Sequence, residues 1–318
     1  MNSKIGNNVE LATQLLISGG LVAIPTETVY GLAANALNED AVLSIFKAKK
    51  RPLFDPLILH VPSIKAALNY CEELPNKAIE IANQFSPGPI TFLLPRKNNV
   101  PDLITSGLPK VAIRIPDHPL TLQLLQQLNF PLAAPSANPF GYISPTSAMH
   151  VHQQLGDVVD YILDGGDCKV GIESTIIEFE QNKIIVHRLG GLSIEQLEFF
   201  GEVELRLNQS ANPSAPGKLK SHYAPRKQLI IGDIDELIKK NSNKKIAILS
   251  FQKSYAENNL VLSPSGDLTE ASKNLFSFLR KLDDGNADLI LTEKLPDTFL
   301  GKAINDRLKR ASAIENEE

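Results

Sequence analysis

A chain of 318 residues, 43% hydrophobic and 21% charged, is long enough for two packed domains and is not composed like a disordered or fibrous polymer. The net charge of −4 is spread evenly. Residues 1–228 hold 19 Lys+Arg against 21 Asp+Glu, and residues 229–318 hold 13 against 15, which argues against the basic face of a nucleic-acid binder. The two cysteines, Cys71 and Cys168, fit neither a disulfide framework nor a zinc knuckle and read as inert core thiols.

The N-terminal stretch lacks a basic segment followed by an apolar run, so no signal peptide is expected. No window approaches 18 uninterrupted apolar residues, so no membrane span is expected and the protein reads as cytoplasmic. Val9–Ser18 has the apolar spacing of an amphipathic helix, closed by Gly19-Gly20, and Leu21–Ile24 starts a short buried strand. Asn38 predicts the cap of a helix that must stop near Arg51, before Pro52. Strands are predicted at 57–61, 90–94, 111–115, 131–134, 161–163, 174–178 and 183–188, and helices at 63–70, 76–84, 120–128 and 147–155. This is an α/β domain with a sheet of mixed direction, over residues 1–205. Residues 206–228 hold the proline-rich run 208–227, read as an extended connector. Residues 229–318 alternate strands (228–231, 245–250, 288–291) with helices (234–239, 268–283, 301–311), as in a small Rossmann-like parallel sheet. That part has no G-x-G-x-x-G, so nothing supports nucleotide binding by it.

Common nucleotide and metal motifs are missing: there is no G-x-x-x-x-G-K-[ST], no H-E-x-x-H and no Cys-x-x-Cys. Chemistry must therefore come from less familiar constellations. Lys47, Lys49, Lys50 and Arg51 lie within five positions at a helix end. They read either as cations complementing the helix dipole or as a field for phosphates. His60 closes an apolar strand, where a lone histidine is commonly a satisfied core residue. Arg114 lies inside an otherwise apolar strand, and a buried guanidinium needs an anion, from the protein or from a ligand. Residues 131–146, with Ser136 and Ser144, form a loop of small residues, hydroxyls and prolines that makes turns or admits a ligand to the backbone. Ser174-Thr175 opens a further strand and Arg188 ends the next. Five strand ends carrying Arg, Ser or Thr suggest a concave anion-binding site at a sheet edge.

The segments PTETVYGLAANA, KKRPLFDPLILH, SPGPITFLLP, VAIRIPDHP, APSANPFGYISPT, GIESTII and HRLGG, in order through residues 25–191, together resemble the YrdC/Sua5 family of threonylcarbamoyl-AMP synthases. APGKLKSHYAP resembles the interdomain segment of its longer, Sua5-type members, and the remainder resembles their C-terminal domain more loosely. The resemblance implies a YrdC-like twisted mixed sheet with flanking helices, plus a smaller C-terminal α/β domain. It implies that L-threonine, bicarbonate and ATP, with Mg²⁺ on the phosphates, give L-threonylcarbamoyladenylate and pyrophosphate. This is the first step of a modification at adenosine 37 of tRNA, completed by separate transferase machinery.

By resemblance, Thr28, His60, Arg114, Ala134 and Ser174 surround threonine, with Arg114 on its carboxylate. Arg51, Asp55, Lys110, Ser136, Ser144, Arg188 and Tyr223 surround ATP, with Lys49 and Lys50 adding to the phosphate field and the Tyr223 segment acting as a lid. No residue is assigned as acid or base, and Glu27 is left without a role. Two positions depart from the family pattern. Asp55 stands where Asn is usual, placing a negative charge near phosphates, and Lys110 stands where a small hydroxyl residue is usual. An RNA-binding or ribosome-associated module is the competing reading, but the even charge balance predicts weak, salt-dependent tRNA contact. A carbamoyl-adenylate-handling domain like that of hydrogenase maturation proteins would bring acylphosphatase-like and zinc-finger segments, and none is found.

Overall fold

The computed structural model describes residues 4–207, 222–255 and 258–313. The first part runs β1 (Ile5–Gly6), α1 (Val9–Ile17), β2 (Val22–Ile24), β3 (Gly31–Asn35), α2 (Glu39–Lys49), β4 (Ile58–His60), α3 (Ile64–Ala67) and α4 (Asn76–Phe85). It continues with β5 (Ile90–Pro95), α5 (Asp102–Thr105), β6 (Lys110–Arg114), α6 (Pro119–Gln127), β7 (Leu132–Ala133), α7 (Ala148–Leu155) and β8 (Tyr161–Leu163). It ends with β9 (Thr175–Glu180), β10 (Lys183–Arg188), α8 (Ile194–Glu198) and β11 (Val203–Leu205). The second part comprises β12 (Gln228–Ile231), α9 (Ile234–Lys240), β13 (Ile246–Ser250), β14 (Asn259–Val261), α10 (Leu268–Asp284), β15 (Leu289–Thr292) and α11 (Leu300–Ala311).

Among the described residues the first part builds one 11-stranded sheet in the order β1-β8-β2-β3-β7-β4-β6-β5-β9-β10-β11. Direction is mixed, as predicted: β4 runs parallel to β6 but antiparallel to β7, and β5 parallel to β9 but antiparallel to β6. The second part is a four-stranded sheet in the order β12-β15-β13-β14, parallel throughout, with α9 joining β12 to β13 and α10 joining β14 to β15. The apolar runs of β13 and β15 suit that setting, since a parallel strand covered on both faces has no polar side to present.

The predicted elements recur with ends shifted by a few residues, and the exceptions have local causes. Helix α2 begins where the Asn38 side chain accepts the Ala41 N–H at 3.2 Å, and ends at Lys50, whose φ of 53° is left-handed. Strand β3, unmarked in the sequence, is Gly-Leu-Ala-Ala-Asn. It has no β-branched residue to mark it as a strand, and it lies between β2 and β7. A Cβ on Gly31 would stand 3.2 Å from the Ala134 Cβ. The short α5, α8, β1, β11 and β14 likewise escape a periodicity argument, being too brief to show a period.

The two sheets share one buried apolar cluster, running from Leu32 and Ile113 through Tyr223 to Phe276 and Leu308. Polar contacts reinforce the junction. The Tyr142 hydroxyl donates to the Asp283 carboxylate at 2.6 Å, and Lys302 reaches Glu195 at 2.8 Å. Most of the predicted connector, residues 208–221, lies outside the described residues. Its described end is packed in: Tyr223 is 1% exposed and the Ala224 N–H donates to the Gly141 carbonyl.

Candidate active site

A cleft opens where several strands of the large sheet end. Its lining includes Thr26, Arg51, His60, Arg114, Ala134, Ser136, Glu173, Arg188, His222 and Tyr223. One end is built by β4, β6 and β7. His60 and Arg114 are register partners at the ends of β4 and β6, and the Ala134 N–H donates to the Ile58 carbonyl at 3.1 Å just past β7. Burial, reinforced by the neighbouring Arg114 charge, pushes the His60 imidazole down to about 3, so it is neutral at ordinary pH. Its Nδ1 lies 3.3 Å from the Ile58 carbonyl. With the proton there, Nε2 is an acceptor.

The anion that Arg114 requires is Glu27. Arg114 Nη2 donates to Glu27 Oε1 at 2.7 Å, with both side chains about 95% buried, and the Asp117 N–H donates to Glu27 Oε2 at 2.9 Å. The carboxylate left without a role in the sequence thus holds the guanidinium at the cleft. Thr28 is buried directly behind. Its hydroxyl lies 2.8 Å from that of Thr26, and it is Thr26 that reaches the cleft lining.

The other end gathers Arg51, Arg188, Ser136 and Tyr223, and Ser144 lies fully buried behind it with its hydroxyl on Glu173 rather than in the lining. Asp55 does not stand alone near the cleft: it pairs with Arg51 at 2.9 Å, and Arg51 also donates to the Asp55 and Pro56 carbonyls. The Arg51 fork is thereby fixed, and the charge that the Asn-to-Asp departure introduces is met inside the protein. Arg188 donates to the Ser174 carbonyl at 3.0 Å and to its hydroxyl at 3.1 Å, so Ser174 orients this arginine as well as ending the strand-side wall. Burial lowers Arg188 to about 10, with the Tyr223 hydroxyl and Glu173 opposing that shift.

Lys49 is fully buried and donates to the Ser136 and Asn138 carbonyls at 2.5 and 2.6 Å, so it braces the small-residue loop rather than standing open to a ligand. Burial, with the Arg51 charge beside it, lowers its affinity for a proton well below the ordinary lysine range. Lys50 is exposed at the helix end. Lys110 is not brought to the cleft: its ammonium pairs with Glu178 on β9, which also binds His187.

Two cleft residues, Glu173 and His222, carried no signal that separated them from their neighbours in the sequence. Glu173 accepts the Ser144 hydroxyl at 2.6 Å and pairs with Arg307 at 3.0 Å. Burial pushes its carboxyl up, but Arg307, Arg188 and the Ser144 hydroxyl outweigh that and hold it below the ordinary carboxylate range. His222 stacks edge-on against Tyr223 at 4.2 Å, and its buried Nδ1 has no hydrogen-bond partner among the described residues. Burial, then the charges of Arg310, Arg51, Lys49 and Arg188, keeps this imidazole neutral. Tyr223 itself lies against Phe276 and beneath the guanidinium groups of Arg307 and Arg310, at 5.4 and 4.8 Å from its ring centre.

Family comparison covers nearly the whole chain. Residues 14–190 match the Sua5/YciO/YrdC model, described as telomere recombination, and residues 192–313 match the C-terminal domain of threonylcarbamoyl-AMP synthase. The chain belongs to the Sua5/YciO/YrdC family. Among relatives in this family, the threonylcarbamoyl-AMP synthase of Pyrococcus abyssi is 38% identical, the match covering 96% of this chain and 94% of that protein. The synthase of Bacillus subtilis is 37% identical over 95% and 92% of the two chains. A crystal structure of the P. abyssi Sua5 protein complexed with L-threonine superposes with a TM-score of 0.90, at 39% identity and covering 96% of this chain and 94% of that one.

Proposed function

We propose that this protein is an L-threonylcarbamoyladenylate synthase: it joins L-threonine, bicarbonate and ATP into threonylcarbamoyl-AMP and releases pyrophosphate. The observation that carries the reading is the division of one cleft into two anion-binding ends. Arg114, paired with Glu27, and neutral His60 occupy one end, and Arg51, Ser136, Arg188 and Tyr223 occupy the other, with Ser144 held behind them on Glu173. The first end suits an amino-acid carboxylate and the second a triphosphate. Full-length similarity to proteins named for this activity supports the assignment.

On this reading Arg114, oriented by Glu27, receives the threonine carboxylate, while Ala134, Ser174 and the Thr26–Thr28 hydroxyl pair shape the side-chain pocket. Threonine's amine is carboxylated by bicarbonate with loss of water. The carbamate oxygen then attacks the α-phosphorus of ATP, forming the acyl-phosphate bond as the bond to pyrophosphate breaks. No side chain needs to act as a general base once the carbamate is an anion. The protein contributes position and charge, with Arg51 and Arg188 held rigidly toward the developing negative charge. Tyr223 and His222 cover the cleft and exclude water, which protects a carbamate that hydrolysis would destroy.

Mg²⁺ is expected to enter with ATP. The carboxylates at the cleft, Asp55, Glu27 and Glu173, are each engaged by an arginine, and no group of three metal-ligating side chains stands together among the described residues. The described residues therefore offer no cage of their own for the ion. We take residues 1–205 as the catalytic unit, 206–228 as the connector and lid, and 229–318 as the C-terminal unit. We place the protein in the cytoplasm, which two free buried cysteines suit, and assign the next step to a separate transferase. No helix is long and apolar enough to cross a membrane among the described residues.

The reading is tested by incubating the protein with ATP, bicarbonate and each amino acid in turn and measuring pyrophosphate. Release is expected with threonine above all others. Release that ignores the amino acid, or favours a different one, would overturn it.

A further inference from the structure

Glu173 and Arg307 form a buried ion pair between the two sheets, and neither has a place in the mechanism above. Arg307 lies on α11 of the C-terminal unit and is the largest fully buried side chain among the described residues. Its Nε and Nη2 donate to Glu173 Oε2 at 3.2 and 3.0 Å, and its Nη1 donates to the Leu189 carbonyl at 2.5 Å, one residue beyond Arg188. Glu173 in turn accepts the Ser144 hydroxyl. From α10, Arg280 donates to the carbonyls of Ile143 and Ser144 on the opposite side. Arg307 also lies over the Tyr223 ring. Two helices of the C-terminal unit thus grip the segments that present Ser144, Arg188 and Tyr223.

Adhesion between the units does not require this arrangement. The shared apolar cluster already joins them, and a buried ion pair offers little net stability over well-packed apolar side chains. What a fork bound at three sites supplies is geometry. We propose that Arg307, acting through Glu173 and Leu189, is a positioning residue through which the C-terminal unit sets the ATP end of the cleft. The threonine end is held mainly by other elements: Glu27, Arg114, His60 and Ala134 are carried by β2–β3, β4, β6 and β7 of the first sheet, and among the described residues no hydrogen bond joins them to Arg307 or Glu173, so the pair touches that end through Ser174, the neighbour of Glu173. The inference rests on the assignment of Ser144, Arg188 and Tyr223 to ATP.

The test is steady-state pyrophosphate release by the full chain with ATP and threonine varied separately. Arg307→Met is expected to raise KM for ATP on the order of tenfold and to leave KM for threonine within about threefold. The double variant Glu173→Gln with Arg307→Met removes the stranded carboxylate. It is expected to regain thermal stability but not the ATP affinity, which separates positioning from mere support of the fold. If Arg307→Met does not fold, Arg307→Lys is read in its place; it keeps the charge and loses the fork, and the same selective rise in KM for ATP is expected. Unchanged ATP kinetics, or equal losses for both substrates, would overturn the proposal while wild-type activity upholds the functional reading. Absence of threonine-dependent release in the wild type would remove that reading, and the inference with it.

Discussion

Removing the Arg114 guanidinium alone would leave the Glu27 carboxylate buried without its partner, because the two are joined at 2.7 Å and shielded from water. Arg114→Ala should therefore cost about 3–5 kcal/mol of stability as well as threonine use. Glu27→Gln combined with Arg114→Met should restore most of the stability and none of the threonine-dependent turnover. Urea unfolding and pyrophosphate release would check both parts, and turnover in the double variant would remove Arg114 from the threonine site. The need of Arg114 for an anion was legible in the sequence, but which anion was not, since Glu27 lies 87 residues away and only the β2–β3 turn brings it near. His60 carries a second prediction. Its folded-state value of about 3 is below the ordinary imidazole value of 6.5, so between those pH values the unfolded chain binds the extra proton and stability falls as pH falls. Unfolding free energies at pH 7 and pH 5 should differ by about 2 kcal/mol less in His60→Asn than in the wild type. An identical acid limb in the two proteins would refute a neutral, buried His60.

Strand ends and the turns beyond them hold the cleft together, and glycine is indispensable at one of these junctions. A Cβ on Gly190 would lie 2.3 Å from the Glu173 carbonyl oxygen and 2.4 Å from the Ser174 carbonyl carbon, both backbone atoms that cannot swing aside. Gly190→Ala must displace the Glu173–Ser174 segment that orients Arg188 and Ser144. The expected result is a loss of kcat/KM for ATP on the order of a hundredfold, checked by steady-state kinetics. The strands bearing His60, Arg114 and Arg188 were legible from their apolar runs, and the cap at Asn38 from its residue type. Strand β3 was not, because Gly-Leu-Ala-Ala-Asn has no β-branched residue and its pattern resembles a loop. Lys49 shows the same limit in another form. Its place in a cluster of cations suggested phosphate, whereas the fold turns it inward onto the Ser136 and Asn138 carbonyls.

Across the whole molecule, the even charge balance of both parts argues for a small-molecule enzyme rather than a nucleic-acid scaffold. Transfer RNA should bind only in the range of non-specific contacts, roughly 10⁻⁴ to 10⁻⁶ M at physiological salt, and weaken steeply as salt rises. A filter-binding series across salt concentrations would show this, and tight, salt-insensitive binding would favour an RNA module. Two-part organisation was legible from the proline distribution and the strand–helix alternation after residue 228. The junction was not, since nothing in the sequence separates Arg280 and Arg307 from other helix cations; only the packing of α10 and α11 against the first sheet does. Isotopically labelled bicarbonate shows whether one cleft joins threonine, bicarbonate and ATP. Mass spectrometry of the full-length protein's products should find the label in a threonine-containing adenylate, formed in step with pyrophosphate. Pyrophosphate formed without labelled adenylate, or an adenylate lacking the label, would contradict it.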